Sequence, residues 1–271
     1  MIAAVLVIVL AASGIGAICG IGGGIIIKPV MDAAGVADPA TVNFLSGCTV
    51  LSMTLYSVLR AWASGRHATG SRVADQRAAD SWTDLSLAMG AAVGGLVGKR
   101  LFDFAAHALG DLSMAGALQA SALFAVTLGT LVYTVNRDRI ESLRVEGVPP
   151  CLAIGLALGT CSSFLGIGGG PINLVVLFHF FGMSTKRAAA SSLRIILLSQ
   201  GVSTLATIAD GGATGVDASL LVAMVACGIV GGMVGRKVNA RIDDAAVSRL
   251  FVGLMVVILV INVFNVAKFL A

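Results

Sequence analysis

Six apolar runs along this chain are each long enough to cross a bilayer: roughly 41–60, 81–98, 113–135, 188–209, 217–235 and 246–267. A membrane-spanning helix needs about 20 predominantly apolar residues. Two further regions, 2–34 and 148–182, stay apolar for longer than one span requires. Each is interrupted by the same pentapeptide, Gly-Ile-Gly-Gly-Gly, at Gly20–Gly24 and at Gly166–Gly170. The pattern therefore predicts a pair of shorter helices in each region, over about 2–19 and 24–34, then 149–165 and 170–181. Short polar segments separate the runs. The longest is 61–80, and 136–147 (NRDRIESLRVEG) joins the two halves of the chain.

The repeated pentapeptide is not alone. GGLVGKR at Gly94–Arg100 is echoed by GGMVGRK at Gly231–Lys237. The two offsets are similar, 166 − 20 = 146 and 231 − 94 = 137. Two matches in the same order indicate an internal duplication. The expected organisation is an N-terminal repeat over 1–136, a cytoplasmic linker over 137–147 and a C-terminal repeat over 148–271.

Charge relates the halves. If each glycine-broken region crosses the membrane once, the loop cations divide almost evenly between the two sides. If each turns back at its glycines, one side collects Arg60, Arg66, Arg72, Arg77, Arg137, Arg139, Arg144, Lys186, Arg187, Arg236, Lys237 and Arg241. The other side keeps Lys99, Arg100 and Lys268. Cytoplasmic loops concentrate Lys and Arg, so the second arrangement is preferred. Each half then has five segments, an odd number, and the second half enters from the opposite face. The predicted fold is an all-α polytopic membrane protein of two inverted repeats. Each repeat has a Gly-broken or re-entrant helix pair plus three transmembrane helices, an arrangement found in many secondary transporters.

Composition agrees. The 271 residues are 57% hydrophobic and 12% charged, against about 25% charged in soluble domains. The net charge of +4 sits in short loops between spans, which makes it a topology signal and gives no reason to expect a nucleic-acid partner. The five cysteines lie in apolar stretches without a CxxC pair and read as small buried hydrophobes. No zinc-protease, P-loop or nucleophile-elbow motif occurs, and the three histidines are dispersed. Neither an enzyme nor a metal or other cofactor is expected. The first residues, MIAAVLVIVLAA, lack the basic start of a cleavable signal.

A GGG run inside the membrane interrupts a helix and frees N–H donors where no water can satisfy them. That is tolerable only where the backbone is buried in protein or lines a cavity. The helix that starts after the break presents a partial positive charge and unpaired donors. Two such breaks approaching from opposite sides would aim two helix N-termini at one central point, which predicts a small anionic substrate. Close packing of helices is the competing explanation of GIGGG.

Both glycine segments, GIGGGIIIKPVM (Gly20–Met31) and GIGGGPINLVVLFHFFGMSTKRAAASSL (Gly166–Leu193), with the two GG-apolar-VG-basic runs, resemble the TauE/SafE sulfite-exporter-like family, also called the toluene-sulfonate uptake permeases. The resemblance covers essentially the whole chain. It implies transport of sulfur-containing anions such as sulfite, sulfonates, sulfoacetate or thiosulfate, by proteins that include exporters and importers.

The candidate substrate-binding residues are Gly22, Gly23, Gly24, Asn43, Ser46, Gly168, Gly169, Gly170, Ser191, Ser192 and Arg194. His179 is a candidate for proton coupling. Lys28 either attracts an anion or snorkels to the exterior, and Arg194 either neutralises substrate, snorkels, or pairs with an aspartate on a neighbour. The expected setting is the cell inner membrane, with the bilayer and a small anion as partners, H+ or Na+ as candidate coupling ion, and a homodimer as candidate assembly. A non-transporting assembly factor or scaffold, and a small-anion channel, are the alternative functions.

Overall fold

The computed structural model describes residues 2–65, 71–110, 112–212 and 216–270. Among these it contains ten α-helices, one short 3-10 turn at Arg137–Arg139 and no strand. The helices are α1 (Ile2–Cys19), α2 (Gly24–Ala34), α3 (Pro39–Gly65), α4 (Ser71–Leu109), α5 (Leu112–Asn136), α6 (Val148–Phe164), α7 (Pro171–Phe181), α8 (Thr185–Ala209), α9 (Ala218–Asn239) and α10 (Asp244–Leu270). Seven of them, α1, α3, α4, α5, α8, α9 and α10, are long and apolar enough to cross a membrane. This is a multi-pass membrane protein.

Both expected helix pairs are present, and both chain interruptions fall at the glycines. The long polar loop is shorter than its composition suggests. Residues 66–70, with Arg66, lie outside the described residues, but helical backbone runs to Gly65 and resumes at Ser71. Hydropathy marks only the part of a helix that meets lipid. Alanine-rich polar sequence such as RVADQRAAD continues a helix in water without changing its hydropathy signal.

Glycine decides how the helices pack. Gly90, Gly94 and Gly98 on α4 lie against the backbone of Leu152, Leu156 and Thr160 on α6. Gly155 and Gly159 on α6 meet Leu87 and Ala91 in return. A Cβ at Gly94 would stand 2.8 Å from Thr160 N, so no side chain fits there. The same arrangement joins α1 to α9: Gly231 meets Leu10, Gly235 meets Gly14, and Asn239 donates to Ile18 O at 2.6 Å. In both pairs the residue numbers rise together, so both pairs are parallel. Without a hydrophobic drive between helices in lipid, backbone contact of this kind supplies the van der Waals attraction.

The helix pair α6–α7 returns to the side it leaves. Leu143 N–H donates to His179 O (2.8 Å) and Val145 N–H to Phe180 O (2.6 Å). The linker entering α6 is thus hydrogen-bonded to the last turn of α7. Arg137 adds donors to Thr185 Oγ1 (3.2 Å) and Met183 O (3.4 Å), with its guanidinium 3.9 Å from the Phe178 ring centre. On α2, the last turn is held by α10. Asn265 Nδ2 donates to Pro29 O (2.8 Å) and Lys268 Nζ to Asp32 O (2.8 Å).

The outer faces carry exposed Val7, Leu59, Trp62, Phe104, Val132, Val222, Val260 and Phe264, as a lipid-facing surface requires. Polar side chains such as Ser46, Thr49, Asn173 and Ser192 are fully buried.

Candidate functional site

The two glycine breaks touch each other at the centre of the protein. A Cβ at Gly24 would overlap the carbonyl of Ile167, whose carbon is 3.0 Å away. Two side chains, Val50 from α3 and Ile196 from α8, fill the space between them: Val50 and Ile196 each stand 3.2 Å from a Cβ at Gly22, and Val50 stands 3.2 Å from one at Gly168. Left-handed backbone at Gly20, Gly22 and Gly23, and at Gly166, Gly168, Gly169 and Gly170, lets the chain turn here.

The two breaks differ in how their amides are used. In the first, Gly24 N–H turns back to Gly22 O (2.8 Å), and Ile26 and Ile27 donate to Gly23 O (3.0 and 3.1 Å). That terminus is partly capped by itself. In the second, Gly166 and Ile167 donate to Ser163 O and Ser162 O, but the N–H groups of Gly168, Gly169 and Gly170 reach no acceptor among the described residues. Pro171 opens α7 without an N–H of its own. Buried backbone donors are almost always paired, so three free amides at one helix start mark a place for an acceptor.

A cavity of about 590 Å³ reaches Gly166, the first residue of the second break. Asn43, Ser163, Gly166 and Gln200 line its inner end, and Lys99, Arg100, Asp103, His107 and Asp210 its mouth. Ser203, Thr204 and Thr207 continue one face of α8 between them. Asn43 stands directly over Gly166, and Gln200 Oε1 would lie 2.7 Å from a Cβ at Gly168. Asn43 Oδ1 and Ser163 Oγ have no hydrogen-bond partner. At the mouth, Lys99 Nζ is 2.8 Å from Asp103 Oδ2 and 2.6 Å from Asp210 Oδ2, and Arg100 lies 3.6 Å from Asp210 Oδ1. The hydrogen bond and charge of Lys99 hold the Asp210 carboxyl below the usual carboxylate range.

Of the residues singled out from sequence, Asn43 lines the cavity beside Gly166, while Gly22, Gly168 and Gly169 lie behind it against Val50 and Ile196. Ser46 is fully buried with an unpartnered Oγ. Ser192 Oγ accepts from Asn173 Nδ2 at 3.4 Å, which ties α8 to the first turn of α7. Arg194 pairs with Asp84 on α4, one of its anticipated contacts, and that carboxylate also interacts with Ser191. Lys28 does not snorkel: it is 2% exposed and bonded to Asp32 at 3.0 Å one turn on. His179 sits at the other end of α7 from the break, edge-on to Tyr133 and Phe180, with Nδ1 unpartnered. Nine residues of helix separate it from Gly170, about 13 Å. The mouth cluster was missed: Lys99 and Arg100 counted only towards topology. Its sequence signals were the Lys99–Asp103 spacing and the α8 periodicity at 200, 203, 204 and 207.

A bundle of membrane-spanning helices around a polar vestibule that ends on broken helices defines a multi-pass membrane transporter. The chain belongs to the sulfite exporter TauE/SafE family, whose pattern it matches over residues 5–262. That family is one of transporters, not of enzymes, and its cargo is sulfite and related sulfur anions. No curated protein and no solved structure matches the chain.

Proposed function

We propose that this protein is a secondary transporter of small sulfur-containing anions, of the sulfite, sulfonate, sulfoacetate or thiosulfate class, and that the anion is held near the midplane at the two GIGGG breaks. The observation that carries this reading is the set of free amides at Gly168–Gly170, which follow closely on Gly166 at the end of the vestibule that Asn43, Ser163 and Gln200 line. A small oxyanion supplies the acceptors those donors lack, and the helix N-terminus favours its charge. Neutral hydrogen-bonding groups there allow release as well as binding.

Alternating access fits this geometry. The halves 1–136 and 148–271 are inverted repeats in this reading. The return of α7 to the linker supports it, as does the exchange of partners, in which α1 of one half packs on α9 of the other and α6 on α4. The vestibule also gathers the ends of α4 and α8 and the start of α3, all of which the charge distribution assigns to the outer face. Val50 and Ile196 close the path beyond the glycines, which favours a transporter over an open channel. The protein sits in the cell inner membrane, with H+ or Na+ as driving ion.

Purified protein in liposomes should take up thiosulfate or sulfite saturably along an imposed ion gradient. Gly169→Val should abolish flux while the protein still inserts, because Ile196 already occupies the space. Full flux in that variant would refute the assignment of the site.

A further inference from the structure

We infer that Lys99 is the anion's first contact in the vestibule, and that Asp103 and Asp210 are built-in competitors that set how strongly, and with what charge, an anion is taken there. This rests on the transport reading above and adds to it residues that bear on specificity.

Lys99 is only 9% exposed, yet it lines the vestibule mouth. A lysine on the lipid-facing side of a helix end would snorkel outward; this one points inward between two carboxylates. Lys99 and Arg100 against Asp103 and Asp210 leave the mouth with no net charge. An arriving anion can approach the ammonium only by displacing a carboxylate. Below it, Thr207, Thr204, Ser203 and Gln200 offer neutral polar groups down to Gly166 at the second break. The mouth thus holds the one buried cation on this path, and that cation is already claimed.

The second copy of the GG-apolar-VG-basic run makes the claim specific. Arg236 occupies the place of Lys99, since 99 − 94 = 5 and 236 − 231 = 5. It donates to the backbone carbonyl of Ser57 at 2.7 Å, not to a carboxylate. The position after the glycines is therefore basic in both halves, while the competing carboxylates belong to the Lys99 end.

The test is equilibrium binding of thiosulfate, a dianion, and methanesulfonate, a monoanion, to the purified protein and to D103N, D210N, K99Q and K99R. Removing either carboxylate should tighten thiosulfate binding about tenfold, the effect of a unit charge at about 6 Å in a partly aqueous mouth, and methanesulfonate binding less. K99Q should weaken thiosulfate binding by a similar factor and cancel the gain in K99Q/D210N, while K99R should retain it. Asp103 is on the same helix as Lys99 and ties no two helices together, whereas Asp210 joins the end of α8 to α4. A purely structural brace would therefore leave D103N unchanged and make D210N less stable and no tighter; that pattern overturns the inference. A wild-type protein that binds neither sulfite nor thiosulfate overturns the transport reading and this inference together. Wild-type binding that none of the four variants alters overturns this inference alone.

Discussion

Gly24→Ala separates the close contact of the two breaks from the conformational freedom of glycine. Gly24 is the first residue of α2 and has no left-handed backbone angle, so alanine brings no torsional strain. What alanine brings is a methyl group against the Ile167 carbonyl, whose carbon would be 3.0 Å away, and against Val50 Cγ2, also at 3.0 Å. Ordinary carbon contacts lie at about 3.5–4.0 Å, so the breaks must separate by on the order of 1 Å. Overpacking of this kind costs about 1–3 kcal/mol, and better helix propensity returns up to about 1 kcal/mol. The net loss of stability should be about 0–3 kcal/mol, and the protein should still insert. Function should suffer more. Moving the Ile167–Gly170 strand by 1 Å misaligns the free amides, and one charge-assisted hydrogen bond is worth about 1.5–3 kcal/mol, or about 10- to 100-fold in affinity. Thiosulfate binding and uptake by Gly24→Ala should be compared with Gly129→Ala, where the added methyl meets nothing within 4 Å. Binding within twofold of wild type in Gly24→Ala would refute the argument that the touching breaks form the site.

Other expectations follow from the same contacts. Gly94→Leu should separate α4 from α6 and lower the melting temperature in detergent by several degrees, because α6 backbone lies where the side chain must go; an unchanged melt would mean that the glycine contact does not hold the bundle together. R194Q should destabilise more than D84N, by about 1–3 kcal/mol, because it strands a carboxylate that is 5% exposed, whereas the arginine is 45% exposed and can reach water; chemical denaturation of both variants decides the order. With His179 as proton carrier, H179Q should abolish the stimulation of uptake by an imposed proton gradient, and an unaltered response to the gradient removes His179 from coupling. The Ser219 hydroxyl and N–H hold the Asp217 carboxyl below the usual carboxylate range at the start of α9. Its stabilisation is therefore complete above the ordinary carboxylate value of about 3.9 and lost as pH falls through the lower folded value, so wild type and D217N should converge in thermal stability at low pH.

The breaks were legible because glycine repeats and hydropathy are properties of the chain itself. Most helix ends came out within a few residues for the same reason: the bilayer sets the apolar length and the GIGGG runs interrupt it; α4 is the exception, running from Ser71 to Leu109 well past the 81–98 apolar run. Asn43 could be marked as a polar residue after a break, but nothing local says that it stands over Gly166 of the other half. Arg194 shows the limit most clearly. Its partner Asp84 is 110 positions away, and nothing local to Arg194 chooses between substrate, snorkelling and an aspartate on another helix.

What the sequence alone determined, then, is the number of apolar segments, the places where two of them break and the charges of the loops. Each follows from transfer free energy or backbone chemistry summed along the chain. The tertiary structure decided which glycines zip which helices together, that Lys99 lies between Asp103 and Asp210, and that one vestibule ends at Gly166 beneath Asn43. In a membrane both lipid and protein interior are apolar, so hydrophobic periodicity is a weak guide to the face a helix turns inward. That choice is made by helix register and close backbone contact, which exist only once distant segments meet.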